Sequence, residues 1–432
     1  MGKADKQCRP LLRIAALSDI QGYPYPEDAG MRNLERALDV LAPLKPDVAV
    51  NGGDINDTGN DADAVRYYRE RCDARLGPLP HVACIGNHEL CFIRPELRAS
   101  RTSGAIRRDF NAVFGYAPDA RVVRASVKGY EFVALHLSRP EGYSEGEIAE
   151  FGDALAAAVA RDPSKPVFAV THYHPTDTVN DSRQEEKSGA LRRLFNRYQQ
   201  VVSLSGHTHG SLRDPRSIWQ GGFTAVETST LCYGSLGLEP PAANQISCLL
   251  PYGHESVGCL CLDVFDDRIA VRRFDVRERA EIDPDAPWTV PWPHKPNRAP
   301  YRFETRSAAE ATPRFPANPE PTLWYDYGFA YLLFAAAEPR EGVLGYRVEL
   351  ADAETGRTTT HFHVSDFYRA PSHRTDRIIF RAPPGALEPG RRYRCRIVPV
   401  GFFGAEGGPL EWSFAIKSDY VLRADPANAL PE

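Results

Sequence analysis

The chain has 432 residues, of which 42% are hydrophobic and 25% charged, and its formal net charge is −5 at pH 7. The length predicts two or three domains, and the composition is typical of globular proteins. The negative charge argues against a general nucleic-acid-binding surface, and no stretch is long and apolar enough for a transmembrane helix. The oligomeric state is not indicated. The N-terminus lacks an apolar signal segment, which predicts a cytoplasmic protein as the sequence stands, or an exported (periplasmic or extracellular) one if a signal peptide was removed.

Short apolar runs in the first half of the chain predict buried strands. They cover residues 11–17, 47–50, 81–85, 131–135, 166–170 and 201–204. Helical patterns lie between several of them. Leu34, Leu38 and Leu41 recur at helical spacing, and Ser144 with Glu147 forms a capping box before an apolar helix face. Strand–helix alternation predicts an α/β layered domain over residues 1–280.

The remaining sequence predicts a connection and a second domain. Residues 281–316 are dense in proline ("DPDAPWTVPWPHKPNRAP") and predict a stiff linker on the surface. Short alternating strands separated by turn residues follow over 317–432, which predicts a small all-β sandwich. The nine cysteines include no CxxC pair, and buried thiols are the simplest interpretation.

Five polar clusters each follow an apolar run directly: "LSDIQG", "VNGGDIND", "CIGNHEL", "VTHYHP" and "LSGHTHG". In open α/β sheets the strand ends converge on the ligand crevice. The clusters offer carboxylate, amide and imidazole groups that suit Mn, Fe, Zn or Mg better than a thiolate cage would. The candidate residues are Asp19, Gln21, Asp54, Asn87, His88, His172, His174, His207 and His209.

These motifs resemble those of the calcineurin-like metallophosphoesterases over about residues 11–275. The matching stretches, in order, are Asp19-Ile-Gln21, Gly53-Asp54, Gly86-Asn87-His88-Glu89, His172 and Gly206-His207-Thr208-His209. The resemblance implies a four-layer α/β/β/α sandwich and a site for two divalent metal ions.

The resemblance also implies roles for the residues. Asp54 would bridge the two metals. The first site would be completed by Asp19, Gln21 and His209, and the second by Asn87, His172 and His207. His88 would act beside the substrate as an acid or as a stabiliser of the transition state. A metal-activated hydroxide would attack phosphorus in line.

Gln21 stands where the family usually has histidine. An amide oxygen is a neutral, harder ligand than imidazole, so the first site should favour Mn²⁺ or Mg²⁺ over Zn²⁺. The Asp-x-Gln pattern resembles that of manganese-dependent ADP-ribose and CDP-alcohol pyrophosphatase-like proteins. It favours a small phosphodiester substrate of nucleotide or glycerol type over a monoester. The alternative function is a non-catalytic metal- or phosphate-binding protein that retains the fold, although the intact His88 argues against it.

Some assignments remain open from the sequence. His172 is favoured over His174 as the ligand of the fourth motif because it follows its strand directly, and His174 then lines the pocket or is exposed. Five arginines lie between residues 94 and 108 and either bind an anionic substrate, with Arg94 among the nearest, or form a solvated helical face. The candidate substrate-binding residues are Asn87, His88, Arg94 and His174.

The second domain resembles fibronectin type III. Its stretch "LEPGRRYRCRIVPV" places Tyr393 in the position of a tyrosine corner. Such a domain shapes the cleft, binds a surface or adds stability, and the sequence does not distinguish these roles.

Overall fold

The computed structural model describes residues 9–57, 62–91, 101–182, 185–237, 248–420 and 422, and the predicted substrate residue Arg94 lies outside them. The chain divides into two compact units, the first ending at Phe303 and the second beginning at Glu304. Among the described residues, no helix is long and apolar enough to cross a membrane. The cysteines recorded as free thiols are Cys72, Cys84, Cys91, Cys232, Cys259, Cys261 and Cys395.

The first unit alternates strands and helices. Its helices are α1 (Ala29–Leu41), α2 (Ala62–Leu76), α3 (Ser103–Phe114), α4 (Glu145–Arg161) and α5 (Glu185–Phe195), and α6 (Phe303–Ala309) spans the junction with the second unit. Its strands are β1 (Leu12–Leu17), β2 (Val48–Asn51), β3 (His81–Ala83), β4 (Val122–Val127), β5 (Tyr130–Leu135), β6 (Val167–Thr171), β7 (Val201–Ser205), β8 (Ile218–Gln220), β9 (Thr224–Glu227), β10 (Ser235–Leu236), β11 (Cys248–Leu249), β12 (Gly258–Val264), β13 (Arg268–Asp275), β14 (Ala280–Ile282) and β15 (Trp288–Pro291).

Two mixed sheets organise these strands. One has the order β14-β13-β12-β1-β2-β3, with β15 also paired to β13, and the other has the order β4-β5-β6-β7-β9-β8. Strands β1, β2 and β3 run parallel, as do β5, β6, β7 and β9. Strands β10 and β11 form a separate antiparallel pair. The carboxyl ends of the parallel strands therefore open at one edge of each sheet.

Alternating side chains of these strands build two cores. Ile14 and Ala16 of β1 belong to an inner cluster with Phe132 and Phe168 of the other sheet, whose rings lie 5.0 Å apart. The intervening residues, such as Leu17, belong to a cluster that also contains the buried faces of α1 and α4. The period of two along each strand thus separates a sheet–sheet core from a sheet–helix core. This arrangement confirms the predicted α/β/β/α layering.

The helix starts follow their capping residues. The Asp28 side chain accepts a hydrogen bond from the Met31 backbone N–H at 3.0 Å and caps α1. At α4, the Ser144 hydroxyl accepts from the Glu147 N–H at 3.3 Å, and the Glu147 carboxylate accepts from the Ser144 N–H at 2.7 Å. The capping box predicted from the sequence is therefore present.

The proline-dense segment 281–316 differs from the predicted linker in its first half. Strands β14 and β15 both pair with β13, and Val290 is fully buried in the inner core. Pro291 ends β15, which pairs on one side only. Proline lacks a backbone N–H, so an edge strand accommodates it without losing a ladder hydrogen bond. The first unit accordingly extends to Phe303 and not to residue 280.

The second unit is all-β after α6. Its strands are β16 (Thr322–Asp326), β17 (Phe329–Ala335), β18 (Gly345–Asp352), β19 (Thr358–Val364), β20 (Arg377–Arg381), β21 (Arg392–Val400) and β22 (Leu410–Ala415). They form antiparallel sheets of order β16-β17-β20 and β19-β18-β21-β22. Their inward residues, including Phe334, Tyr346 and Tyr393, share one apolar cluster. The predicted all-β character of this region is confirmed.

The buried imidazole of His136 predicts acid sensitivity of the fold. His136 follows β5, accepts the Ile85 N–H at 3.1 Å and bonds Asn111 Oδ1 at 2.9 Å, and burial lowers its pKa to about 3. Below the ordinary histidine pKa of about 6.5, the unfolded chain binds a proton that the folded chain does not. Stability should therefore fall as the pH drops from about 6.5 towards 3, by up to about 1.4 kcal/mol per pH unit from this group.

The variant His136→Gln removes the titrating group while its amide can still accept from Ile85 and donate to Asn111. We expect the unfolding free energy of this variant to fall less steeply between pH 6.5 and 4 than that of the native chain, measured by denaturant titration. The exposed His254 provides the matched control as His254→Gln. An equal slope in the native chain and in His136→Gln would contradict the prediction.

Candidate metal centre

The predicted ligands come from the carboxyl ends of parallel strands in both sheets. Asp19 follows β1, Asp54 follows β2, and Asn87 and His88 follow β3. From the other sheet, His172 follows β6, and His207 and His209 follow β7. The two sheets face each other across the inner core, so these loops meet at a common edge.

The ligand loops have an unusual backbone. Five of the candidate residues have left-handed φ angles: Asp19 (50°), Gln21 (46°), Asp54 (54°), His207 (74°) and His209 (52°). This region is uncommon for residues other than glycine and costs about 1–3 kcal/mol per residue. Such conformations persist only where the surrounding contacts hold them, and they cluster at functional sites.

Asp19, Gln21 and His209 come together at one end of the centre. Oδ1 of Asp19 lies 3.2 Å from Nε2 of His209, and the Gln21 amide nitrogen lies 3.4 Å from the same ring atom. The Asp19 carboxylate accepts the backbone N–H of His207 at 3.0 Å and the Ser18 hydroxyl at 2.5 Å. The three residues are buried, and they are the three that were predicted to complete the first site with Asp54.

Asp54, Asn87 and His172 come together at the other end. Nε2 of His172 lies 3.2 Å from Oδ2 of Asp54 and 2.8 Å from Oδ1 of Asn87. Ligand atoms of Asp19, Asp54 and His172 all lie within 4.8 Å of one another, so these residues form a candidate metal-binding triad. Asp54 thus lies between the two ends of the centre.

Two imidazoles are oriented for metal binding. Nδ1 of His172 lies 2.8 Å from the carbonyl oxygen of Gly52, and Nδ1 of His209 lies 2.9 Å from that of Tyr233. A carbonyl only accepts, so Nδ1 of each ring carries the hydrogen. In the neutral ring, the lone pair of Nε2 then points inward, which is the orientation that metal-binding histidines adopt.

The buried charges also fit divalent cations. Oδ2 of Asp54 is buried and accepts no hydrogen bond from any described residue. Burial opposes ionisation of Asp54, but the neighbouring His172 outweighs it and lowers the pKa of Asp54. Burial conversely disfavours the His172 imidazolium, but the charge of Asp54 raises the pKa of His172 to about 9. The carboxylates therefore favour a positive charge at the centre. Carboxylate, amide and imidazole donors suit Mn, Fe, Zn or Mg.

His207 and His174 take different positions near His172. The His207 ring is half-buried, with its centroid 5.1 Å from that of His172 and 4.3 Å from that of Tyr173. His174 is buried, and neither of its ring nitrogens hydrogen-bonds a described residue. Burial lowers the pKa of His174 to about 3. Of the two histidines in "THYHP", His172 is the one in contact with Asp54 and Asn87.

His88 lies at the open side of the centre. Its Nδ1 lies 2.5 Å from the backbone oxygen of Asp57, and its Nε2 lies 4.0 Å from Oδ2 of Asp54. Burial lowers the pKa of His88, but the hydrogen bond to Asp57 and the charge of Asp54 outweigh it and raise the pKa to about 10. The half-exposed ring thus directs Nε2 towards the shared carboxylate.

The described arginines of the predicted cluster lie elsewhere. Arg101 pairs with Asp109, and Arg108 pairs with Asp119 at 3.2 Å. Arg107 is buried, and its guanidinium lies 3.4 Å from the Ser138 hydroxyl. The ion pairs of Arg101 and Arg108 agree with a solvated helical face, whereas the burial of Arg107 does not.

Glu89 connects two ligand loops. Its buried carboxylate accepts the backbone N–H groups of Gly86 (2.6 Å), Asp54 (3.0 Å), Ile55 (2.6 Å) and Asn56 (3.3 Å). Burial raises the pKa of Glu89 to about 7. This one side chain therefore fixes the loop that carries Asp54 relative to the loop that carries Asn87 and His88.

Glu227, at the end of β9, was not predicted. It accepts the Thr208 hydroxyl at 2.6 Å and the Gly210 N–H, which flank His209. A Cβ on Gly210 would lie 2.2 Å from Glu227 Oε2, so only glycine fits there. Further along the chain, Thr230 Oγ1 and the Leu231 N–H both donate to the Asp19 backbone oxygen at 3.0 Å. The sequence signal that could have identified Glu227 is an acidic residue directly after the apolar strand "FTAV".

The Glu89 contacts predict a coupled loss of stability and metal affinity. Glu89→Gln places an NH₂ group against backbone N–H donors, so we expect the unfolding free energy to fall by about 1–3 kcal/mol. Mn²⁺ affinity, measured by calorimetry on the folded variant, should also fall. Glu147→Gln is the matched control, because Glu147 is a buried carboxylate that accepts a backbone hydrogen bond at the start of α4. The prediction fails if both variants bind Mn²⁺ equally well.

Comparison with known proteins agrees with this geometry. Residues 12–211 match a family model described as calcineurin-like phosphoesterase. The chain therefore carries a metallophosphoesterase domain of mixed α/β sheets, followed by an all-β region. No curated protein matches the sequence significantly.

Solved structures provide distant similarities. TT1561 of Thermus thermophilus is 11% identical, with 63% of this chain and 97% of that chain covered and a TM-score of 0.36. The purple acid phosphatase PPD1 of yellow lupin (Lupinus luteus) is 14% identical, with 65% of this chain and 53% of that chain covered and a TM-score of 0.45. GAP50 of Plasmodium is 11% identical, with 66% and 89% covered and a TM-score of 0.40.

Proposed function

We propose that the calcineurin-like phosphoesterase domain of this chain hydrolyses phosphoric esters with two divalent cations, and that its substrate is a phosphodiester of nucleotide or glycerol type. The observation that carries the proposal is the triad of Asp19, Asp54 and His172, whose ligand atoms lie within 4.8 Å of one another. The inward Nε2 atoms of His172 and His209 support it. The support for a diester is the Asp-x-Gln motif at residues 19–21.

Each cation would be held by a separate set of side chains. Asp19, Gln21 and His209 would hold the first, and Asn87, His172 and His207 the second, with Asp54 shared. The bound cations would supply Lewis-acid charge to the phosphoryl oxygens and lower the pKa of water to provide the nucleophile. The left-handed backbone at the ligand positions supports this assignment, because such strained conformations cluster at functional sites.

His88 would act on the substrate and not on a cation. Asp57 fixes Nδ1 through its backbone oxygen, so the ring can rotate little, and Nε2 remains directed towards Asp54. From there Nε2–H can donate a hydrogen bond to a phosphoryl oxygen or a proton to the leaving oxygen. Asn87 and His174 stay candidates for contacts to the substrate.

Gln21 would make the first site selective for Mn²⁺. Rotation of the Gln21 amide by about 180° around its last side-chain torsion exchanges its oxygen and nitrogen atoms. Oε1 then lies opposite His209 Nε2. A neutral oxygen ligand favours Mn²⁺ or Mg²⁺ over Zn²⁺ relative to imidazole. This selectivity is a proposal, with Mg, Fe and Zn as the alternative metals.

We also propose that the second unit is fibronectin type III-like. The Tyr393 hydroxyl accepts the backbone N–H of Glu388, five residues upstream, at 2.8 Å. A tyrosine that bonds the backbone a few residues earlier is the corner feature of such sandwiches.

The catalytic proposal is tested by hydrolysis of bis-p-nitrophenyl phosphate, with p-nitrophenyl phosphate as the monoester comparison. The chain is stripped with a chelator and reloaded with Mn²⁺, Mg²⁺ or Zn²⁺ separately. We expect turnover with Mn²⁺. Activity should fall by about 100-fold or more in Asp54→Asn, because even residues that only hydrogen-bond to metal ligands contribute about 10- to 100-fold. Asp153→Asn, at an exposed position on α4, is the control. Mn²⁺ binding without turnover of either ester would favour the non-catalytic alternative.

The role of Gln21 is tested by Gln21→His. Histidine tolerates the left-handed backbone at this position better than most residues do, so the variant should fold. We expect Zn²⁺ affinity relative to Mn²⁺ to rise on the order of tenfold, because imidazole replaces an oxygen ligand. Competition calorimetry with the two metals measures the ratio. An unchanged ratio would show that residue 21 is not a ligand.

A further inference from the structure

Exposed aromatic side chains border the metal centre. Among the residues described in the first unit, the exposed large apolar side chains are Leu11, Tyr25, Tyr233, Leu249, Tyr252 and Phe303. Two of them, Tyr25 (48% exposed) and Tyr233 (37% exposed), lie on the loops that carry or support the ligands. Exposed apolar side chains beside a site can mark a binding surface, so these two tyrosines are candidates for contacts to a substrate.

Tyr233 lies directly against a predicted ligand. Its backbone oxygen accepts from Nδ1 of His209, and its ring centroid lies 4.4 Å from that of His209 at an interplanar angle of 37°. One face of the ring thus meets the centre, and part of the ring remains open to solvent.

Tyr23 and Tyr25 lie on the side of His88. Their rings are nearly parallel, with an interplanar angle of 9° and centroids 6.0 Å apart. The Tyr23 hydroxyl donates to Oδ2 of Asp57 at 3.3 Å, and Asp57 is the residue that holds Nδ1 of His88. The Tyr23 ring is therefore connected through Asp57 to the residue proposed to contact the leaving group, and the Tyr25 ring lies alongside Tyr23.

Hydrogen bonds fix the loops that carry these rings. The Asn33 amide on α1 donates to the Leu231 backbone oxygen at 2.8 Å, two residues before Tyr233. The Leu231 N–H in turn donates to the Asp19 backbone oxygen. Gly22, next to Tyr23, bridges to Asn56, next to Asp57. The loops that carry the aromatic rings are thus held in place before any ligand binds, which reduces the entropy cost of binding.

We infer that Tyr23, Tyr25 and Tyr233 form a subsite for a planar aromatic group of the substrate, so that the phosphodiester carries a nucleoside and not only glycerol. This inference rests on the proposed function and names its substrate class. A nucleobase has a face that stacks on a tyrosine ring, whereas glycerol has none. The subsite would hold the base while the cations hold the phosphate.

Equilibrium binding to the Mn²⁺-loaded full chain tests the subsite without turnover. The probes are AMP, glycerol 3-phosphate and inorganic phosphate. We expect the native chain to bind AMP more tightly than glycerol 3-phosphate. Tyr233→Ala and Tyr25→Ala should each weaken AMP binding by about fivefold or more, the usual loss for one stacked base. Tyr25→Ala should leave Mn²⁺ and inorganic phosphate binding unchanged.

Two further variants serve as controls. Tyr233→Phe keeps the aromatic ring and should bind AMP as tightly as the native chain does. Tyr327→Ala removes a 78% exposed tyrosine of the second unit and should have no effect. If AMP and phosphate binding fall together in Tyr233→Ala, that ring only supports His209, and the inference fails. It also fails if the native chain binds Mn²⁺ and phosphate but shows no preference for AMP. A native chain that binds neither Mn²⁺ nor phosphate would instead overturn the proposed function, and the subsite with it.

Discussion

The burial of two carboxylates, those of Asp19 and Asp54, is the constraint on which the rest of the first unit depends. Removing an ionised carboxylate from water costs several kcal/mol unless hydrogen bonds and opposite charge replace the water. Backbone N–H groups of His207 and His88 provide part of that replacement. The imidazoles of His209 and His172 lie opposite the remaining oxygens. The donor set and charge of the centre are therefore those of a cation site.

The second line of contacts explains how the strained ligand loops persist. Glu89 connects the loops after β2 and β3 through hydrogen bonds to both. Glu227 accepts a hydrogen bond from Thr208 in the loop after β7. Thr230 and Leu231 fix the Asp19 backbone. Each left-handed ligand residue thus has neighbours whose hydrogen bonds would be lost if its loop relaxed. The strain is tolerated because these buried polar contacts are costly to break.

The reacting centre and the substrate contacts come from different parts of the loops. The proposed ligands lie at strand ends, where the packing of the two sheets fixes their positions. Tyr23 and Tyr25 lie further along the loop after β1, Tyr233 lies on the segment after β9, and none of the three belongs to the two apolar cores. A scaffold of this kind can keep one chemistry while its outer loops select the substrate, and fold similarity alone does not identify that substrate.

Local patterns in the sequence predicted much of the fold. The apolar runs located six strands of the two sheets, and Ser144 with Glu147 located the start of α4. Strand β4 was missed although Lys128 and Gly129, both with positive φ, form the tight turn that pairs it with β5. The segment 281–316 was assigned to a linker because its prolines dominate the composition, whereas pairing with β13 decided its first half.

The order of the five motifs and the chemical types of the proposed ligands follow from the amino-acid sequence alone, because both are contained in short contiguous stretches. Packing between distant segments was needed to establish that His172 and not His174 faces Asp54 and Asn87, and that Arg101 and Arg108 pair with other groups. It also decided that Glu227 supports the loop of His209. That contact depends on β9 running parallel beside β7, and strand register is set by packing between distant segments and not by the residues next to Glu227.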